Sequence, residues 1–169
     1  MERKDALADF DAARDEWESA FSKVSDDALG YLKPGDDYAL GGLQVHVNWV
    51  LVHYSRVLDG LIARDFAELP PQDRPGEGDA ANKKAKAGLT ASERASWLKE
   101  MERLHAAVLA GARRLREEDW TRKGPVIYGE GQDPYPTSAE DILGWLRDHY
   151  REHVTQSADL ITAWGGEPK

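Results

Sequence analysis

The chain has 169 residues, 41% hydrophobic and 31% charged, the balance of an ordinary globular domain rather than a disordered one. Its net charge of −9, with acids spread along the whole length, argues against nucleic acid and anionic membrane surfaces as partners, since both need a basic face. The absence of cysteine excludes disulfides, a thiolate nucleophile and a cysteine-based zinc site. The charged start MERKDALADF lacks the apolar stretch of a signal peptide, and the longest apolar run, VNWVLV, is too short to span a bilayer. The expectation is one cytoplasmic domain over residues 1–169.

Four segments carry helical periodicity and none carries sustained strand alternation. The first runs from about Lys4 to Leu29, with Leu7, Phe10, Trp17, Phe21, Val24 and Ala28 on one stripe and Arg14 as its polar member. Lys33-Pro34-Gly35 ends it, and Asp36 or Asp37 can cap the next helix. That second helix, from about Tyr38 to Phe66, places Leu43, His46, Val47, Val50, Tyr54, Val57 and Leu61 on its inner face.

A proline- and glycine-rich connection follows, with room for a short helical turn in ANKKAKA. Thr90 and Glu93 form a capping box that opens a third helix to about Glu117, striped with Trp97, Met101, Leu104, Val108 and Leu115. After a second long loop, Thr137 with Glu140, or Ser138 with Asp141, caps a fourth helix ending at Trp164-Gly165-Gly166. Its inner side carries Ile142, Trp145, Leu146, His149, His153, Gln156 and Leu160. Four amphipathic helices are best buried as an all-α four-helix bundle, with long connections between helices two and three and between three and four. The first of these connections is long enough for either a crossover or simple up-and-down winding.

His149 and His153 stand one helical turn apart and continue the apolar stripe of the fourth helix, so both point inward. Burying two imidazoles costs free energy unless their ring nitrogens find partners, and one metal ion satisfies both rings at once. His46 lies on the inner face of the second helix at a comparable depth. Three imidazoles with a vacant position make a site for zinc, nickel or iron. His53 shares the face of His46 but lies about 10.5 Å further along the axis, too far for both to reach one ion. His105, beside the third stripe, is expected at the core boundary. The competing account is that each inward histidine is a hydrogen-bonded core residue.

The stretch LGGLQVHVNWVLVHYSRVL resembles the second helix of the DinB/YfiT-like family of metal-dependent bundles. TSAEDILGWLRDHYREHVTQSADLI resembles that family's fourth helix, with H-x-x-x-H followed three residues on by glutamine, here Gln156. Where the family often has a tryptophan before its first histidine, Tyr38 stands nearby. The resemblance implies a metal site of His46, His149 and His153, a crossover bundle and often a homodimer. It also implies activities that include transfer to or from bacillithiol or mycothiol.

On that reading a divalent metal, zinc or nickel before iron, activates a water or an external low-molecular-weight thiol toward a small-molecule substrate. An external thiol accords with the lack of cysteine. Gln156, Asn48 and Tyr54 are candidates to orient the ligands, although Tyr54 also suits a core position and Asn48 a solvent-facing one. Tyr128 and Tyr135 lie in a loop able to cover the site, and Glu130 and Asp133 are loop acids without a stronger claim. The competing readings are a non-catalytic metal-binding or stress-response bundle and a metal-free protein-interaction module.

Overall fold

The computed structural model describes residues 1–165. In chain order it contains helix α1 (Arg3–Ser22), helix α2 (Gly42–Ala63), a shorter helix α3 (Glu77–Ala87) and helix α4 (Arg94–Arg114). A two-stranded ribbon, β1 (Gly124–Val126) and β2 (Tyr135–Thr137), precedes helix α5 (Ala139–Gly165). The fold is an all-α bundle of α1, α2, α4 and α5, and α3 and the ribbon occupy the two long connections. Gly166 of the expected helix stop lies outside the described residues. No helix among the described residues is long and apolar enough to cross a membrane.

Among the four bundle helices, α1 packs against α5, α2 against α4 and α2 against α5. The last helix therefore lies between the first two, which is a crossover arrangement and not sequential winding. Phe10, Ala13, Trp17 and Phe21 of α1 are wholly buried. Trp17 needs a partner for its indole N–H in that position, and α2 provides it. The indole donates to Gln44 Oε1 (2.8 Å), the Gln44 amide to Asn48 Oδ1 (2.8 Å), and the Asn48 amide to the Trp97 carbonyl (3.0 Å). This buried polar chain fixes the rotation of α2 against α1 and α4. Asn48 is thus a core residue, and not the solvent-facing one its position suggested.

Several boundaries differ from the sequence expectation for identifiable reasons. α1 stops at Ser22, and a 3₁₀ turn at Asp26–Ala28 keeps Val24 and Ala28 buried. Arg94 of α4 takes up the freed carbonyls there, donating to Phe21 (3.4 Å) and to Val24. α2 starts at Gly42, with Gly41 and neither Asp36 nor Asp37 at its cap. The preceding residues are already committed, since the N–H groups of Ala39, Leu40 and Gly41 bond to Ala85, Tyr31 and Leu29 carbonyls.

The Thr90–Glu93 box forms, but it opens a 3₁₀ turn leading into α4, which ends at Arg114 and not Glu117. At α5 it is Ser138 and Asp141 that bond reciprocally (2.9 and 3.1 Å). The alternative cap, Thr137, has its hydroxyl against that of Tyr128 in the loop between the strands (2.8 Å). The ribbon itself carries no alternation that could announce it, being three residues per strand with a proline in each. Leu69 extends it, donating to Pro125 (2.9 Å) and accepting from Ile127 (2.8 Å).

Two glycines set how closely α3 docks. A Cβ on Gly42 would stand 1.6 Å from the Ala85 carbonyl oxygen, and Gly88 has φ +84° with Leu29 oxygen 2.4 Å from its would-be Cβ. Neither can accept a side chain without backbone movement. Gly42→Ala is expected to destabilise the protein by about 1–3 kcal/mol through overpacking, read as a lower denaturation midpoint in urea at unchanged slope.

Candidate metal centre

His46 lies in the second turn of α2, and His149 and His153 lie one turn apart near the middle of α5. Because α5 packs against α2, the three rings meet. His149 Nε2 is 3.0 Å from His46 Nε2 and 2.9 Å from His153 Nε2, and one nitrogen from each ring falls within 4.8 Å of the others. Imidazole nitrogens bound to one tetrahedral ion stand about 3.3 Å apart, close to the two short contacts. The three rings could therefore hold a single metal ion.

The chemistry of the donor set fits such an ion. His153 Nδ1 faces Gln156 Oε1 at 2.8 Å. A carbonyl oxygen only accepts, so this nitrogen carries the hydrogen and Nε2 is left as a lone pair aimed at the cluster. His149 Nε2 faces two neighbouring nitrogens and has at most one hydrogen to offer them. A shared cation satisfies all three nitrogens, and no arrangement of neutral tautomers does so equally well. Tyr38 stacks on His46 (centroids 4.4 Å, planes 22° apart) and holds its ring plane from the outer side.

Burial also keeps these rings neutral. Desolvation, with His153 nearby, pushes His46 down to about 4. Desolvation, then His153 and His46, push His149 down to about 3. His153 is lowered by burial, against the opposing hydrogen bond to Gln156. Neutral imidazole is the form that binds metal.

His46 and His149 form part of the floor of a cleft of about 540 Å³ that opens to solvent, whereas His153 is buried behind them. The cleft is also lined by Trp49, Tyr54, Trp145, Asp73, Asp148 and Glu152. His53 lines it too but does not join the cluster, because its Nδ1 is held by Asp73 (2.9 and 3.0 Å). Tyr54 also stands in the cleft, half-buried, while Glu130 and Asp133 are exposed loop residues. Sequence reading missed Asp73, Trp49 and Asn82 as wall residues. Asp73 sits in an aperiodic loop, and Trp49 falls off the stripe that was read as inward, so neither had a signal.

His105 is fully buried, and not a boundary residue as expected. It stacks on Phe10 (4.0 Å), donates from Nε2 to Asp11 (2.7 Å) and accepts from the Tyr150 hydroxyl (3.0 Å). Both nitrogens are satisfied within the protein, so this is the hydrogen-bonded core histidine that the bland account described.

A helical bundle with three converging inward histidines, two of them on the floor of an open cleft, defines a class of candidate metalloproteins. The chain belongs to the DinB superfamily, whose family model matches residues 10–157. In fold it is similar to a conserved protein from Enterococcus faecalis of known crystal structure. The two chains share 12% identity with a TM-score of 0.65, over 93% of each. No curated protein matches the sequence.

A pH prediction follows from the lowered histidines. Folded-state values below the unfolded value of about 6.5 mean that the unfolded chain binds more protons in acid. Their effect is absent above about pH 6.5 and grows as pH falls below it. Chelated protein should lose about 1 kcal/mol of stability for each histidine kept neutral at pH 5.5. Thermal melts of chelated protein at pH 7.5 and 5.5 test this, and a melting temperature unchanged between them would contradict it.

Proposed function

We propose that this protein is a metal-dependent enzyme of the transferase or hydrolase type, with one divalent ion held by His46, His149 and His153. The observation that carries the reading is the convergence of three neutral imidazoles, two of them lining the floor of an open cleft and the third buried behind them. When bound there, an ion with three uncharged ligands keeps its full charge and supplies Lewis acidity, lowering the pKa of a water or thiol. Structural zinc sites ordinarily use four protein ligands, whereas this cluster has three and adjoins a solvent-filled space.

The chain's own groups have distinct parts. Gln156 holds the tautomer of His153. Tyr38 holds the plane of His46. His53, oriented by Asp73, presents its ring to the same cleft as the cluster and is the group best placed to take or return a proton on substrate. The family resemblance and the lack of cysteine support an external low-molecular-weight thiol, of bacillithiol or mycothiol type, as the nucleophile delivered to a small-molecule substrate.

Protein purified without a histidine tag or chelators should carry about one equivalent of zinc, nickel or iron by elemental mass spectrometry. His149→Ala/His153→Ala should abolish it, and His53→Ala should retain it. An absence of metal even after reloading with zinc and nickel would end the metalloenzyme reading. Gln156→Leu should weaken metal affinity about 10–100-fold, measured by competition with a chromogenic chelator, and an unchanged affinity would remove Gln156 from this role. Loaded protein then enters thiol-transfer assays with bacillithiol, mycothiol and glutathione.

A further inference from the structure

Four aromatic rings beside the cluster form a closed circuit. Tyr54 of α2 lies 5.6 Å from Trp145 of α5, Trp145 lies 6.2 Å from Tyr135, Tyr135 lies 6.5 Å from Tyr128, and Tyr128 lies 6.5 Å from Tyr54. The planes meet at 49–64°, so the rings stand as tilted walls and not as a stack. They come from two helices, strand β2 and the loop that joins β1 to β2, which the Tyr128–Thr137 hydrogen bond ties to β2. A point in the middle of a flat circuit of this size lies about 4.4 Å from each centroid, inside the range over which a ring face attracts a cation.

The surroundings favour positive charge. Tyr54 and Trp145 also line the cleft, whose charged lining residues are Asp73, Asp148 and Glu152, with no lysine or arginine among them. Asp148 is paired with Arg147 (2.8 Å) and Asp73 is hydrogen-bonded to His53 Nδ1 (2.9 Å), and with Glu152 these carboxylates give the lining its negative charge. The chain does not use the rings for a cation of its own. Among the described residues the arginine–ring contacts are Arg94 over Phe21 and Arg122 over Phe66, and Lys123, whose charge reaches Tyr135, is held by Asp141 (2.9 Å). Tyr135 is 56% exposed, so one ring of the circuit is open to solvent.

We propose that this circuit is an aromatic cage for an organic cation, most simply a quaternary ammonium group, and that it sets the substrate class of the adjacent metal centre. The second half of that statement rests on the metal-dependent reading above, while the binding itself does not. A trialkylammonium group has no N–H to donate, is weakly hydrated and suits a site that offers ring faces and distant carboxylates. The cage would hold the charged end of a substrate and leave its other end toward His46 and His149.

Choline and its uncharged carbon isostere, 3,3-dimethyl-1-butanol, separate charge recognition from mere apolar fit. Each is titrated into chelated and zinc-loaded protein, followed by tryptophan fluorescence and calorimetry. The expected result is saturable choline binding in at least one form, with the isostere at least tenfold weaker. Tyr135→Ala should weaken choline at least tenfold, and Tyr135→Phe should restore it. No saturable binding, equal binding of the isostere, or indifference to Tyr135→Ala would each overturn the proposal. Metal content measured on the same samples keeps the two readings apart, since failure of choline with metal retained removes only the cage.

Discussion

The requirement that a buried imidazole have both ring nitrogens satisfied organises much of this molecule. The protein meets it in two ways. At His105 the partners are internal, a carboxylate on one side and a tyrosine hydroxyl on the other. At His46, His149 and His153 the nitrogens point at each other, and only His153 has its second nitrogen tied to a fixed acceptor. Desolvation lowers the pKa of all four rings, so charge is refused in both places. What differs is whether the lone pairs are spoken for. One site is complete as protein, and the other presents lone pairs that a cation could take up.

Much of the rest of the fold follows from holding those donors together. His46 and the α5 pair come from helices far apart in sequence, so their meeting depends on α5 lying between α1 and α2. The buried chain Trp17–Gln44–Asn48 fixes α2 about its axis, and a rotation of that helix would carry His46 away from the cluster. Gly42, one turn before His46, lets Ala85 of α3 approach closely, which puts Asn82 at the cleft wall. A polar network and a pair of glycines thus serve the site by positioning backbone, with no chemistry of their own.

The helices and the histidine triad were legible in the sequence because both are periodic. A stripe repeating at three and four residues specifies a helix and its buried face, and two histidines on that stripe inherit its direction. Residue chemistry alone could not choose between His46 and His53, which share a face; the resemblance favoured His46, and the Asp73 contact now accounts for His53 separately. Legibility failed where position depends on distant partners. Asn48 and His105 read as peripheral because each looks polar on its own helix, and both are buried because another helix supplies the complementary group. The ribbon and Asp73 lie in aperiodic segments, where turn residues mark a loop without saying where it returns.

The two long connections between the bundle helices build most of the cleft's individuality. The triad is supplied by α2 and α5, and the superfamily match includes all three histidines. The loop after α2 brings Asp73, and the ribbon with its connecting loop brings Tyr135 and Tyr128. Loops on a rigid scaffold can change without disturbing the core, so the bundle can keep the three histidines together while these segments alter what lies beside them. A cleft whose walls are aromatic and whose charges are carboxylates discriminates by desolvation as much as by attraction. An anionic substrate would have to approach Asp73 and Glu152 while losing its own hydration, and a strongly hydrated ammonium would gain little from ring faces. A large, weakly hydrated cation avoids both costs, which is the physical reason that the walls, rather than the histidines, should determine what this protein accepts.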